Sequence, residues 1–272
     1  MKTPKTIIAS LFIFLAFTAH AHVPFLKPNQ FNVIHDRLQI ESSFTEDPFQ
    51  ADFAMDSPRF SIIDYNGKQT IISPTAKTRA AEYLEPVLND NGSYRINAGV
   101  RKGPKYKALE TTDGKLYFAD DIRKKQGRMT ELQYYSSADT YLAKGQPNYK
   151  PQLLNNGVEI IPLSSPHTIK ANDKPSFRVY QDGEPVANAR VVVAYDNEHY
   201  VKENLVDLYD IENERENNLY TDNDGTFTFI PEKAGLVLLF VNIHKKTDDS
   251  LWESYNTSLT LEVNLSSDSD TN

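Results

Sequence analysis

The chain has 272 residues, is 39% hydrophobic, 24% charged and 11% aromatic, and carries 29 Lys and Arg against 37 Asp and Glu with no cysteine. That apolar content supports a packed core and excludes a wholly disordered chain. The formal charge of −8 argues against nucleic acid as a partner, which needs clustered cations, and the missing cysteines exclude disulfides, thiolate metal sites, iron–sulfur clusters and thiol nucleophiles.

Residues 1–21 read as a secretory signal peptide. Lys2 and Lys5 precede an apolar run from Ile7 to Phe17, and Ala19-His20-Ala21 supplies the small-residue cleavage pattern. The run is shorter than the roughly 20 residues that span a bilayer, and no second run of spanning length follows, so a soluble protein outside the cytoplasm is expected. In a bacterium that compartment is the periplasm, where a chain without cysteine does not depend on oxidising chemistry. Cleavage lowers the basic count from 29 to 27 and takes the formal charge from −8 to −10. It also makes His22 the new N-terminus. A free α-amine and an imidazole on one residue can chelate a metal through two nitrogens, since these groups titrate near ~8 and ~6.5 and deprotonate readily at neutral pH. Either His22 is that chelate or it only marks the processing site.

From there the elements are strands and turns. Arg37 to Phe44 alternates. Phe60–Tyr65 and Gln69–Ile72 flank Asn66-Gly67, a strong hairpin signal. Tyr83-Leu84, Ser93–Ile96, and Lys107–Thr111 with Lys115–Phe118 around Asp113-Gly114 continue the series, so residues 22–150 are expected to form an antiparallel β domain. Lys144 to Pro151 is polar with two prolines and reads as a linker or long surface loop.

In residues 151–264 the expected strands are Val158–Pro162, Ser176–Gln181, Ala189–Tyr195, Leu219–Asp222, Thr226–Ile230, Gly235–His244 and Tyr255–Val263. The near-continuous apolar run from Gly235 predicts a central strand buried on both faces. About seven short strands in about 110 residues fit an immunoglobulin-like or transthyretin-like sandwich. The expected fold class is therefore all-β, with two antiparallel β-sandwich domains. Residues 198–217 are dense in Asp and Glu, with Leu205, Leu208 and Ile211 at spacings of three; they form either a short helix or an acidic loop. Residues 265–272 read as a disordered tail.

Asp182-Gly-Glu-Pro-Val-Ala-Asn-Ala-Arg-Val191 followed by Thr221-Asp-Asn-Asp-Gly-Thr-Phe227 resembles the signature of carboxypeptidase-regulatory-like β-sandwich domains, with each Gly where a turn needs φ > 0. Together with Ala21-His22-Val-Pro-Phe-Leu-Lys-Pro28, Val158–Leu163 and Ala234-Gly235, the order of pieces resembles an exported bacterial family of unknown function, described as a periplasmic component of cobalt and nickel uptake or a nickel-uptake substrate-specific region. The chain departs from that family at Phe25, where Trp is usual, and at His167, which follows Pro166. The resemblance implies a metal ion and an envelope metal transporter as partners.

His22, His35, His167, His199 and His244 remain after processing. Imidazole suits Ni²⁺ and Co²⁺, while Cu²⁺ and Zn²⁺ compete for such sites. No two of these histidines have a short ligand spacing, so a site has to be assembled from distant strands. His22, His244 and His199 are the metal candidates: His199 has Asp196 and Glu198 beside it as oxygen ligands, and Lys245 and Lys246 count against His244. Asp222-Asn223-Asp224-Gly225 reads as a turn rather than a calcium loop. No nucleophile elbow, HExxH, phosphate loop or dinucleotide fingerprint is present, so a non-enzymatic protein without an organic cofactor is expected. Two classes stand: a periplasmic metal-binding or metal-delivery protein for nickel or cobalt uptake, and an envelope scaffold with a protein or glycan partner.

Overall fold

A computed structural model describes residues 22–35, 37–118, 122–123, 125–201, 215 and 217–266. The expected signal peptide, most of the acidic insert and residues 267–272 lie outside them. The described chain is all-β, apart from a helix at Glu198–Val201 and 3₁₀ turns at Pro166–Thr168 and at residues 122–123. Among the described residues the strands assort into sheets of five, ten and four strands.

The ten-stranded sheet is the middle layer. Its main path runs Leu219–Tyr220, Arg190–Tyr195, Gly235–Lys246, Leu251–Val263, Arg128–Lys144, Gly92–Glu110, Phe60–Asp64 and Gln69–Ile72; off this path Asn32–Val33 pairs with Arg128–Lys144 and Leu116–Phe118 with Gly92–Glu110. The last two strands of the main path form the hairpin expected around Asn66-Gly67, with Gly67 at φ 83°. Among the described residues two of its pairings are parallel: Ala143–Lys144 runs beside Asn32–Val33, and Glu131–Thr140 runs beside Leu251–Thr260. A parallel neighbour needs a long connection, and here the connection is the chain between these two strands.

Alternation puts two different cores on the two faces of this sheet. Val191, Val193, Val237, Leu239, Val241, Leu259 and Leu261 point one way. They meet Ile160, Phe177, Val179 and Phe227, which come from the four-stranded sheet of Val158–Pro162, Ser176–Gln181, Glu184–Pro185 and Thr226–Thr228. Val192, Ala194, Leu238 and Phe240 point the other way, against Val23, Phe25 and Phe49. Further along that second face, Phe60, Ile96, Ala98, Ala138 and Leu142 meet Leu26, Ile40, Phe44 and Leu84. These belong to the five-stranded sheet, whose main path runs Val23–Pro28, Ile40–Thr45, Glu82–Leu84 and Ala76–Lys77. The sandwiches thus share their middle sheet. The Gly235–Lys246 strand is buried on both faces from Val237 to Val241, as its unbroken apolar run requires.

Residues near 150, the expected boundary, connect Arg128–Lys144 to Val158–Pro162. They are tied down: Ser93 N–H donates to Asn148 Oδ1 at 2.9 Å, Gln152 Nε2 donates to Tyr65 O at 3.1 Å, and Tyr149 Oη donates to Pro162 O at 2.6 Å. Sheet pairing also crosses this point, because Leu251–Val263 is hydrogen-bonded to Arg128–Lys144.

An ion cluster is buried between the middle and four-stranded sheets. Arg95 donates from Nε and Nη2 to the two Asp139 oxygens at 2.7 and 2.8 Å, and from Nη1 to Glu159 Oε2 at 2.8 Å. Asn97 Nδ2 donates to Asp139 at 2.9 Å, and the Leu154 and Asn155 amides donate to Glu159. Burial opposes the guanidinium charge, but Asp139 and Glu159 more than offset it and push the Arg95 pKa upward. A buried charge is tolerable only with such full partnering.

Candidate functional site

His22 immediately precedes the first strand, Val23–Pro28, and the pairing register builds its surroundings. Val23 lies opposite Thr45, so one step further places Glu46 beside His22. The Asp52 amide donates to Phe44 O at 3.0 Å and folds the following turn back. His22 Nε2 consequently lies 3.2 Å from Glu46 Oε1 and 3.7 Å from Asp52 Oδ2. Asp52 Oδ2 also accepts the Glu46 amide at 2.7 Å, which fixes one carboxylate relative to the other. The Phe53 ring meets the imidazole edge-on at 4.5 Å and stacks on Phe44 at 4.9 Å. The His22 side chain is only 16% exposed, so it is seated in the fold.

The other candidate histidines are placed differently. His244 lies on the Gly235–Lys246 strand opposite Ser254. Desolvation, and then the Arg190 charge, lower its pKa to about 4. A neighbouring guanidinium opposes a bound cation as well as a proton. His199 falls in the Glu198–Val201 helix. Glu198, one of its expected oxygen ligands, is committed elsewhere: it pairs with Arg215 and accepts the Tyr195 amide at 3.0 Å. No described contact joins His22 to His244. His35 is exposed, and its Nδ1 accepts the Arg37 amide at 3.3 Å.

Glu46, Asp52 and Phe53 were not among the sequence candidates. Their signal is weak: two carboxylates flanking Pro48 in a turn become relevant only once the register of Val23–Pro28 against Ile40–Thr45 is known. Among the described residues, no group of three or more His, Asp and Glu side chains is arranged to hold a metal ion. No helix among them is long and apolar enough to cross a membrane.

His167 has a separate consequence. It is buried in the Pro166–Thr168 turn, its Nε2 lacks a hydrogen-bond partner, and the Tyr149 ring lies 6.4 Å away. Burial pushes its pKa down to about 4. An unfolded histidine binds its proton near ~6.5. Between those two values the unfolded chain therefore holds more protons, and stability falls as the pH is lowered. We expect this residue to account for a loss on the order of 3 kcal/mol between neutral pH and pH ~4, with His244 adding to the slope. Urea melts of wild type and His167→Phe across that range check this: the variant should have the flatter profile, and equal slopes would contradict it.

Comparison with known proteins adds the following. No curated protein matches the sequence. Solved structures similar to it at low level include the following three. A Ca²⁺-stabilized adhesin that helps an Antarctic bacterium reach out and bind ice is 7% identical, with 91% of this chain and 50% of that one covered and a TM-score of 0.24. The chain thus spans half the length of that adhesin. The D00-D0 domain of intimin is 12% identical, with 89% and 99% covered and a TM-score of 0.20. A tetra-tandem repeat from the extending region of a large adhesion protein is 9% identical, with 89% and 74% covered and a TM-score of 0.21. TM-scores this low do not mark a shared fold. The family is decided by sequence instead: residues 19–245 match the domain of unknown function DUF4198, and the chain belongs to that family.

Proposed function

We propose that the protein, processed to begin at His22, is an exported, non-enzymatic metal-binding protein of the periplasm that holds a divalent nickel or cobalt ion at its N-terminus for an envelope metal transporter. The observation that supports this reading is the position of Nε2, 3.2 Å from Glu46 Oε1. A carboxylate there accepts a hydrogen bond from Nε2–H and so favours the tautomer whose Nδ1 has a free lone pair. Nδ1 is the ring nitrogen that closes a six-membered chelate with the residue's own α-amine. Ligating histidines commonly donate their other ring N–H to a carboxylate in this manner, which fixes both tautomer and ring direction.

Such a chelate takes two donors from one residue and does not need three converging side chains. The remaining coordination positions stay with water or with a partner's ligand, which suits an ion that has to be passed on. The donors are nitrogen and oxygen only, so Cu²⁺ and Zn²⁺ compete at the same place.

Calorimetry on protein beginning at His22 tests the reading. Binding of Ni²⁺ or Co²⁺ at one ion per chain is expected, abolished by a single residue added before His22 and weakened about 10–100-fold by Glu46→Ala. Equal affinity in the extended and native forms would overturn it.

A further inference from the structure

The middle sheet reaches beyond the four-stranded sheet that covers one of its faces, and the uncovered part is rich in lysine. Register partners share a face and alternate residues return to it. Lys107 lies opposite Glu131, Lys105 opposite Gln133, and Lys102 opposite Tyr135. In the next strands Tyr135 lies opposite Tyr255 and Gln133 opposite Glu253, and Glu253 in turn lies opposite Lys245. These residues form one continuous face across four strands. Tyr255 and Ile243 on it also pack against the core beneath the four-stranded sheet, so it is the same face where cover has stopped. Register shifts at Gln133/Tyr135 and Ser136/Ala138 mark where the strand is irregular, and bulges of this kind bend a strand away from its sheet.

Lys102, Lys105, Lys107 and Lys245 are all exposed. Arg128 and Lys246 at the end of the sheet are held by Glu110, at 2.6 and 2.9 Å, and Lys105 shares its charge with Glu131 at 3.0 Å. Lys102, Lys107 and Lys245 have no such acidic partner within the described residues. At the centre, Tyr135 and Tyr255 stack at 4.9 Å with planes 12° apart. Both phenols donate to Glu253, at 3.3 and 2.8 Å, which occupies that carboxylate. The sequence follows the same division: residues 101–133 carry nine Lys and Arg against five Asp and Glu, in a chain of formal charge −8.

We infer that this lysine face is a docking surface for an anionic phospholipid bilayer. Charge complementarity selects an anionic partner. The breadth of the face suits an extended surface, and tyrosines among lysines suit the headgroup region, where amphipathic rings and basic side chains are favoured. The contact is peripheral and electrostatic, so added salt weakens it.

Cosedimentation of the chain beginning at His22 with vesicles tests this. Binding is expected to phosphatidylcholine vesicles containing phosphatidylglycerol at low salt, and neither to phosphatidylcholine alone nor at high salt. Each exposed lysine contributes about fivefold, so Lys102→Gln, Lys107→Gln and Lys245→Gln together should lower partitioning about a hundredfold, while Lys68→Gln at the hairpin turn leaves it unchanged. Circular dichroism checks that the variants are folded. Equal binding to neutral and anionic vesicles, an unaffected folded triple variant, or binding to acidic protein without binding to vesicles would each overturn the inference. An extra residue before His22 should not alter vesicle binding, which separates this outcome from that of the metal reading.

Discussion

Arg95→Ala is expected to destabilise the protein by about 3–5 kcal/mol, seen as a lower urea midpoint with an unchanged slope. The variant leaves Asp139 and Glu159, each 2% exposed, buried without their cation. Removing one member of a buried ion cluster costs more than the cluster contributes as a whole, because the remaining charges stay desolvated. Neutralising both carboxylates in the same background, with Asp139→Asn and Glu159→Gln, is therefore expected to recover part of the loss. A triple variant no better than Arg95→Ala would place the cost in lost packing rather than stranded charge. Arg95 and Asp139 come from the middle sheet and Glu159 from the four-stranded sheet, so the cluster fixes how the two layers sit.

Phe25→Ala should have an effect of similar size, about 3–5 kcal/mol. Phe25 is fully buried, packs edge-on to Phe49 at 5.7 Å, and joins the cluster that holds Leu238 and Phe240 of the middle sheet. Truncation leaves a cavity under the strand that directly follows His22. Phe25→Leu retains most of the volume and is expected to cost about 1–1.5 kcal/mol. Urea unfolding gives the energies. Amide exchange over Val23–Pro28 reports whether the strand itself has loosened: faster exchange there than elsewhere is the expected result, and a uniform change would mean that the strand is held mainly by its pairing with Ile40–Thr45. Loosening this strand also separates His22 from Glu46, so metal affinity should fall with it if the proposed chelate is correct.

Much of the β structure was legible because its causes are local. Asn66-Gly67 and Asp224-Gly225 sit where the backbone turns, with Gly67 at φ 83° and Gly225 at φ 74°, and only glycine takes that conformation at little cost. The Gly235 run read correctly as a doubly buried strand because both faces need apolar residues. The longest strands were less legible. Gly92–Glu110 continues through Gly99, Gly103 and Pro104, residues that normally punctuate. Arg128–Lys144, which lies between two main strands of the middle sheet, does not stand out in the sequence at all. Ser136, Ser137, Asp139 and Thr140 on it are buried yet read as surface residues. Distant partners satisfy three of them: Ser137 Oγ donates to Thr257 Oγ1 at 3.0 Å, Thr140 Oγ1 to Thr260 O at 3.1 Å, and Asp139 accepts from Arg95.

The candidate site divides in the same way. The sequence by itself pointed to an all-β chain, its turns, a charge balance that argues against nucleic acid, and His22 as the histidine with a chelating α-amine once cleavage follows Ala21. Only the tertiary structure decided that the two sandwiches share a middle sheet, that Glu46 and Asp52 face the His22 ring, and that lysines spread over separate strands form one surface. The reason is the range of the forces involved. A turn is specified by the φ and ψ preferences of two or three adjacent residues, whereas pairing register and layer packing depend on contacts between residues far apart in sequence, from His22 and Glu46 to Ser137 and Thr257, which no local pattern encodes.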